Sequence, residues 1–546
     1  MEGDCGLALA PERTISGPVE PDSQAALAAD PEAGSAPAVA EAPRAGEPAS
    51  REAWWRRVSW LEVSVVAAVA SYAVGYRLLR LEEIESGGDA LNKWYFARQW
   101  FYDLDLADVR WNHHLARFGV NIPLAAIQAV FGTRAIVYYV ASVGTFAAVA
   151  AVMYVAGRLV HGRLVGLAAT LWFIGFPSWK RAGSQITPDS FGALYVGIAL
   201  CLLFLYARRD RRELAWLSGS AWCLSWGYLA KEPMVFFLPG ALAAVWLLKR
   251  RFWHVALYAS VPLCVLGVET LFFSTQTPYP TRLHLTADTH GGGGRLRPLD
   301  SYFDVFGRFE NLPDYWYPLL ITAAVAAVAL PFSTRDRRVW ATICFPASFY
   351  FCYTFGLRRF DPPILWTRFL PRYLDSGVPF AALVAVLLPA VALGRWGPRV
   401  LQRLPRISGF WSRAARFGPI AAVLLLTALL AKTYFGTPSS GRHPFYVTRR
   451  HESVLTDAYR RGLPIVARGS GKRKTLRAVF KLYIRDDALL YRGELPGWGK
   501  LEMPRGTLLK PEARRKSTPA SCRVGVWRRG RRLLMDRRRK LPSRCG

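Results

Sequence analysis

Long apolar runs separated by short charged loops dominate this chain of 546 residues. Eleven runs approach or reach the length of about 20 residues that an α-helix needs to cross a bilayer. They cover residues 58–79, 134–156, 163–177, 190–207, 214–230, 234–249, 253–273, 316–333, 339–357, 373–393 and 418–434. The pattern predicts an all-α polytopic membrane protein with about eleven transmembrane helices, spread over residues 51–435.

The segments that flank the spans have a different composition. Residues 1–50 are rich in Ala, Pro, Glu and Gly and show no apolar period, so they bury too little surface to offset the entropy of ordering. We expect a disordered cytoplasmic tail there, and not a signal peptide, because no basic start leads into an apolar stretch. Residues 436–546 are polar and basic, and the alternating run Val479–Ile484 indicates strands. This part predicts a small extracytoplasmic α+β domain.

The distribution of positive charge sets the expected orientation. The formal net charge is +32, from 71 Lys and Arg against 39 Asp and Glu. In a soluble protein this excess would suggest nucleic acid. Here much of it lies in short loops that share one side if every span is real, namely 56–57, 158–163, 208–212, 249–251, 335–338 and 395–416. The positive-inside rule then puts the amino terminus in the cytoplasm and the carboxyl terminus outside a cell (inner) membrane, and no nucleic-acid partner is needed.

An acid stands at the start of the first long outer segment, residues 80–133. Asp89 follows Gly87-Gly88 and precedes a stretch whose Leu91, Trp94 and Arg98 recur at helical spacing. Its carboxylate is therefore expected at a helix start near the membrane surface. Two interpretations stay open: a helix cap that interacts with the free backbone donors, or a catalytic base.

Further polar residues follow this helix. Asp103 and Asp105 come first, and His113, His114 and Arg117 come next. The two His residues have no further ligand at a regular offset, so the spacing does not predict a metal site. Beside Arg117 they could hold a phosphate oxyanion by charge-assisted hydrogen bonds. The ordinary alternative is a pair of solvated loop residues.

Charged residues also occur at three later outer positions. Asp189 follows Lys180-Arg181 at the start of the fourth span, Lys231 lies between the fifth and sixth spans, and Arg368 and Arg372 precede the tenth. The positive-inside rule predicts little basic charge on this face, which favours a bound anion. Interfacial anchoring by Arg and aromatic residues is the ordinary alternative.

Cysteine usage bears on the carboxyl-terminal part alone. Five of the eight cysteines lie in apolar runs, where a lone Cys is usually a small buried hydrophobe. Cys522 and Cys545 lie in the polar tail. A disulfide between them and two free thiols both remain open, since pairing depends on whether the tail faces an oxidising compartment.

The order of these features resembles the family 39 and related GT-C glycosyltransferases, which include protein O-mannosyltransferases and aminoarabinose transferases. The resemblance covers roughly residues 55–435 and consists of an outer acid after the first span (Asp89), Phe131-Gly132, Pro188-Asp189, Lys231, and Arg372-Tyr373 followed by Pro379. Two features depart from the family: Asp89-Ala90 stands where an Asp-Glu pair is usual, and the His113–Leu115 stretch replaces a Lys-Pro-Pro anchor.

The resemblance implies sugar transfer from a polyprenyl-phosphate carrier to a glycan, lipid or protein acceptor on the outer face, usually with inversion. It assigns acceptor activation to Asp89. We expect His113, His114 and Arg117 near the donor phosphate, with Lys231, Arg368 and Arg372 as further contacts and Asp103, Asp105 and Asp189 as further candidates. The sequence requires no cofactor or metal, although a divalent cation is compatible with it.

Two other classes of function compete with this interpretation. A lipid-linked sugar flippase or solute transporter would carry ionisable groups deep inside its spans, whereas Glu269 is one of few such candidates and lies near the outer end of its run. An envelope scaffold would use the basic tail, with Arg528-Arg529, Arg531-Arg532 and Arg537–Lys540, to bind anionic lipid or polymer.

Overall fold

A computed structural model describes residues 60–82, 89–102, 111, 113–132, 135–208, 212–289, 312–355, 357–360, 363–365 and 371–403, and five short strands between 465 and 535. All of them belong to the second of two compact units, 59–546, while the first unit is 1–58. The predicted tail 1–50, the span 418–434 and the strand at 479–484 lie outside the described residues.

The described part of the chain is mostly α-helical. Its helices are α1 Trp60–Leu78, α2 Asp89–Tyr102, α3 Phe118–Phe131, α4 Ala135–His161, α5 Arg163–Gly175, α6 Trp179–Ala182, α7 Pro188–Ala207, α8 Glu213–Ala230, α9 Leu238–Lys249, α10 Phe252–Gln276, α11 Arg282–Thr289, α12 Trp316–Ser333, α13 Arg337–Phe355, α14 Pro371–Leu374 and α15 Val378–Arg403. Two 3₁₀ helices, Glu232–Phe237 and Asp375–Gly377, directly precede α9 and α15.

Ten of the eleven predicted spans coincide with helices. Seven helical segments are long and apolar enough to cross a membrane: Trp60–Leu78, Ile136–His161, Pro188–Ala207, Glu232–Lys249, Phe252–Gln276, Trp316–Ser333 and Asp375–Gly394. The other three predicted spans form α5, α8 and α13. Helix α5 has only 13 residues. Glu213 and three serines dilute the apolar character of α8, and Arg337 and Arg338 open α13. The chain is a multi-pass membrane protein.

The long helices pack around α4 and α7. Helix α7 packs against α4 and α8, α4 also contacts α1 and α5, and α15 contacts α5 and α12. Fully buried aromatic side chains such as Phe146, Tyr154 and Phe204 fill the shared core. Because lipid tails are as apolar as these side chains, close packing rather than water exclusion holds such helices together.

The start of α7 shows how local sequence sets a helix end. The Thr187 side chain accepts a hydrogen bond from the Ser190 backbone N–H at 3.4 Å, and Pro188 occupies the first turn. Proline suits this position because its missing N–H would have no helical partner. Asp189 follows in the same turn, where the helix dipole favours a carboxylate. The predicted start at Pro188-Asp189 is confirmed.

Helices α2 and α3 form a pair outside the spans. Helix α2 begins at Asp89, as predicted, and α3 has 14 residues, too few to cross a bilayer. The two helices pack on each other, and α3 also contacts α8. The absence of a side chain at Gly119 permits a close contact with α8: a Cβ added there would lie 2.5 Å from the Ala230 nitrogen and the Trp226 oxygen.

The described strands are short. Antiparallel β1 (Leu357–Phe360) and β2 (Pro363–Leu365) precede α14. Strands β3 (Ile465–Val466), β4 (Leu490–Tyr491) and β5 (Leu508–Leu509) form a parallel sheet in the order β4-β3-β5. Strands β6 (Val526–Arg529) and β7 (Arg532–Met535) form an antiparallel hairpin. The extracytoplasmic α+β domain remains a prediction.

One end of the helix bundle, called here the basic face, gathers the described basic loops. Arg158 and Arg163 both pair with Glu62, and Arg338 donates to the Leu159 carbonyl at 3.3 Å. Glu213 pairs with Lys249 and Arg251 on the same face. The opposite end, called the site face, contains the ends of α1, α5, α8 and α10 and the starts of α4, α7 and α15.

Candidate functional site

The junction of α8 with the following 3₁₀ helix is the centre of the site face. Lys231 has an extended backbone that breaks the helix, and Pro233 follows near the start of the 3₁₀ turn. This break lets two adjacent side chains reach different neighbours. Lys231 pairs with Asp189, while Glu232 pairs with Arg117. Both side chains at the junction are about 4% exposed.

Lys231 and Asp189 form a buried ion pair, which brings together two residues predicted for the site. The Ser376 hydroxyl donates to the same Asp189 oxygen at 2.6 Å, and the Lys231 ammonium lies 5.2 Å from the centroid of the Tyr373 ring. The pair therefore joins the start of α7 to the segment before α15. The sequence indicated a bound anion near Lys231. The structure shows that one anionic partner of Lys231 is a carboxylate of the chain itself.

A second carboxylate, Asp375, lies next to this pair. It interacts electrostatically with Asp189, Lys231 and Arg181. The Trp179 indole N–H donates to the Asp375 backbone carbonyl at 2.9 Å, which fixes α6 against the start of the 3₁₀ turn. Arg372 lies three residues earlier on α14, and the structure does not describe its side chain.

Glu232 collects contacts from two other segments. Arg117, just before α3, places Nη2 3.5 Å from Oε2, and Thr286 on α11 donates to Oε1 at 3.4 Å. His113 adds an electrostatic interaction with Glu232. The predicted residues His113 and Arg117 therefore meet the α8 junction through a glutamate that sequence reasoning did not single out.

Arg282 is a fully buried residue of the site that sequence reasoning missed. It donates to the carbonyls of Tyr228 at 2.8 Å and Leu229 at 3.0 Å, so it caps the carboxyl-terminal end of α8. Its Nε lies 2.7 Å from Glu269 Oε1. Burial acts to lower the pKa of Arg282, but Glu269 and Glu232 outweigh it and raise the pKa above its usual value. Arg282 stays charged.

Glu269 has a structural role as the ion-pair partner of Arg282. Its second oxygen accepts a hydrogen bond from the Tyr228 hydroxyl at 2.7 Å. The sequence analysis named Glu269 as one of few ionisable residues inside a span, near its outer end. The structure adds its partner, because the acid pairs with Arg282 and ties α10 and α11 to α8. The signal that could have found Arg282 is an Arg placed just beyond a span that contains an unpaired acid.

The segment that carries the His pair is fastened to α3. The Asn121 side chain donates to the carbonyls of His114 at 2.7 Å and Leu115 at 2.9 Å. The two imidazole rings lie side by side with centroids 3.8 Å apart. The Tyr195 hydroxyl on α7 donates to the Gly119 carbonyl at 3.1 Å. These contacts position Arg117 against the α8 junction.

Asp89 is placed by the helix that it begins. The side chain of Trp94 on α2 is almost fully buried and meets the Tyr138 ring edge to face, with centroids 5.6 Å apart. Gln128 on α3 donates to the Trp94 carbonyl at 2.8 Å. The structure does not describe the Asp89 side chain, and Asp103, Asp105 and Arg368 lie outside the described residues.

The cations of the site are largely paired with carboxylates of the chain. An incoming anion would therefore compete with these carboxylates. Glu232 and Glu269 face Arg117 and Arg282, and Asp189 faces Lys231. Arg117 has one hydrogen-bond donor that remains available, because its Nε is buried without a hydrogen-bond partner in the described part of the chain. Among the described residues there is no cluster of three His, Cys, Asp or Glu side chains suited to a metal ion.

Comparison with known proteins yields distant similarity to solved structures. No protein-family model and no curated protein matches the chain. ArnT from Cupriavidus metallidurans bound to undecaprenyl phosphate is 16% identical, with a TM-score of 0.43, over 79% of this chain and 76% of ArnT. The Archaeoglobus fulgidus oligosaccharyltransferase in the apo form is 13% identical, with a TM-score of 0.49, over 79% of this chain and 65% of that one.

A third solved structure is similar to the same degree. Archaeal AglB from Archaeoglobus fulgidus, in complex with an inhibitory peptide and a dolichol-phosphate, is 12% identical, with a TM-score of 0.45, over 79% of this chain and 64% of AglB. At these identities and TM-scores the similarity assigns no residue and no substrate to this chain.

Proposed function

We propose that this protein is a membrane glycosyltransferase that moves a sugar from a polyprenyl-phosphate carrier to an acceptor on the extracytoplasmic face, with inversion. The observation that carries the proposal is the junction at Lys231 and Glu232. There, side chains from the segment before α3, from the start of α7 and from α11 meet at one end of the bundle. A site at the end of the spans suits a reaction at the lipid surface, since the lipid tail can stay between helices while its headgroup reaches the site.

Asp89 is proposed as the base. A carboxylate at the start of α2 can take the proton from an acceptor hydroxyl as its oxygen attacks the anomeric carbon. The bond from that carbon to the carrier phosphate breaks in the same step, and the phosphate leaves with the bonding electrons. One displacement inverts the anomeric carbon.

The cations are proposed to stabilise the departing phosphate. Arg117 and the His113-His114 pair are proposed as the main contacts of the phosphate. Arg117 has a buried donor without a partner among the described residues, from which a phosphate oxygen could accept a hydrogen bond. Lys231, Arg368 and Arg372 are proposed as further contacts, and Asp189 positions Lys231. Asp103 and Asp105 stay candidates. The proposal needs no metal ion and remains compatible with a divalent cation.

The proposal includes the orientation of the chain. The amino terminus lies in the cytoplasm, the basic face is cytoplasmic, and residues 436–546 form a basic extracytoplasmic domain of an inner-membrane protein. The basic loops that gather at one end of the bundle support this orientation through the positive-inside rule. Glycan, lipid and protein remain the acceptor classes to be tested.

The proposal is tested with purified protein and a pool of labelled polyprenyl-phosphate sugars. Wild type is expected to transfer label to an acceptor fraction, and Asp89→Asn to lose about 10²- to 10⁴-fold, the usual contribution of a general base. Asp336→Asn is the matched control, because Asp336 lies on the basic face beside Arg338.

Two results would contradict the proposal in different ways. Equal transfer by wild type and Asp89→Asn would remove Asp89 from the mechanism. Movement of the labelled lipid between leaflets of a proteoliposome without transfer would instead identify the flippase alternative.

A further inference from the structure

A buried arginine lies on the site face apart from the α8 junction. Arg77, near the end of α1, has no solvent exposure. Its guanidinium carbon lies 4.1 Å from the centroid of the Phe146 ring on α4. Gly183, between α6 and α7, packs so closely on the Arg77 side chain that an added Cβ would lie 2.5 Å from Cδ and Nε. Three elements therefore enclose one cation.

The charge of Arg77 is not matched by an ion pair among the described residues. Nη2 reaches the Ile174 carbonyl at 3.5 Å, while Nε and Nη1 are buried without a hydrogen-bond partner. Glu82 acts on Arg77 electrostatically. An arginine stays protonated in proteins, and a buried charge is stable only when it is paired. The arrangement is complete only with an anion.

A second unused donor follows directly in the chain after the glycine that packs on Arg77. The Ser184 hydroxyl, next in the chain after Gly183, is fully buried and has no hydrogen-bond partner in the described part of the protein. The backbone beside it is held in place: the Tyr138 hydroxyl donates to Gln185 Oε1 at 2.9 Å and accepts from the Ile186 N–H at 3.1 Å. The backbone next to this hydroxyl is therefore held in place before any ligand binds.

We propose that Arg77 and Ser184 form an anion site that takes a phosphate group. A planar guanidinium and a hydroxyl supply the charge-assisted donors that a tetrahedral oxyanion accepts. Arg77 lies in the last turn of α1, one of the helices long and apolar enough to cross a membrane, so that span would end at this site. The backbone of Gly183 covers the side chain there, so the ligand displaces a short connection. The proposal does not depend on sugar transfer.

The sign of a stability change tests this site. An unpaired buried charge destabilises the empty protein, so Arg77→Met is expected to keep or raise the melting temperature without added anion. Phosphate, added at constant ionic strength in place of chloride, is expected to raise the melting temperature of wild type by more than that of Arg77→Met, in which the cations of the α8 junction remain. Ser184→Ala is expected to weaken the phosphate response about tenfold in concentration.

Arg282→Met is the matched control. Arg282 is equally buried and lies on the same face, but it is paired with Glu269 and two carbonyls. Its removal is expected to lower the melting temperature without added anion, which is the opposite sign to Arg77→Met. If Arg77→Met does not fold, the Ser184→Ala variant alone tests the anion site. An unchanged phosphate response in that variant overturns the proposal.

Two ligands distinguish a lipid phosphate from free phosphate as the natural occupant of the site. A short-chain polyprenyl phosphate and inorganic phosphate are compared, with the neutral polyprenol as the blank. A response to the lipid alone supports a headgroup site, and a response to both supports recognition of the phosphate itself. Either no response in wild type, or a lower melting temperature of Arg77→Met together with an intact phosphate response, overturns the proposal.

Discussion

Removing the ammonium of Lys231 is the perturbation whose effect follows most directly from the structure. The side chain is 4% exposed and its Asp189 partner 14%. Loss of one partner of a buried ion pair costs about 3–5 kcal/mol, mainly because the other charge stays behind unpaired. Asp189 keeps its hydrogen bond from Ser376. We therefore expect Lys231→Met to lose about 3 kcal/mol, the lower end of that range.

The double variant Lys231→Met/Asp189→Asn leaves neither charge of the pair at this position. The introduced amide oxygen would still accept the hydrogen bond from Ser376, so the expected loss is about 1 kcal/mol, smaller than in Lys231→Met alone. Such a result would show that the pair is coupled and that the cost of the single variant comes from an orphaned carboxylate.

The assay is unfolding by denaturant in detergent micelles, followed by tryptophan fluorescence, for wild type, both single variants and the double variant. Lys249→Met with Glu213→Gln is the control cycle, because that pair lies on the basic face with its carboxylate 25% exposed. Its coupling is expected to stay below about 1 kcal/mol. Additive losses in the Lys231–Asp189 cycle would show that the two charges are not coupled.

Two further perturbations test the packing of α3 and a charge outside the spans. Gly119→Ala is expected to lose about 1–3 kcal/mol in the same unfolding assay, because its Cβ meets the α8 backbone; Gly144→Ala, with open space around it, is the control, and equal stability of the two variants would contradict the close approach. At Asp336, burial acts to raise the pKa, but hydrogen bonds from Arg338 hold the pKa below its usual value. A depressed pKa gives stability that is present at neutral pH and lost as pH falls below about 4, so the melting-temperature difference between wild type and Asp336→Asn should shrink there; a constant difference would contradict it.

The sequence alone predicted the helices well because apolar length is a local property. The run 190–207 became α7 at Pro188–Ala207, and the run 253–273 became α10 at Phe252–Gln276. Asp89 at a helix start followed from Gly87-Gly88 and the period after it. These features depend on neighbours within a few turns, which the sequence shows directly.

The partners of the charged residues could not be predicted in the same way. Lys231 and Asp189 are 42 residues apart, and Arg117 and Glu232 are 115 apart. A single sequence shows that these residues are charged but not which of them meet. Basic charge on the site face was therefore interpreted as a sign of a bound anion, whereas carboxylates of the chain accompany Lys231 and Arg117. Arg282 escaped notice because its role, capping α8 and pairing with Glu269, depends on the packing of distant helices.

A shared extracytoplasmic site requires the candidate residues to lie on one side of the membrane. Single cysteines at positions 113 and 372, in a background without the native cysteines, can be labelled in intact cells with a membrane-impermeant maleimide. Cysteine at position 336, on the basic face, is the control. Labelling of positions 113 and 372 from outside, with position 336 reached only after permeabilisation, is the predicted result. Positions 113 and 372 on opposite sides of the membrane would contradict a shared extracytoplasmic site.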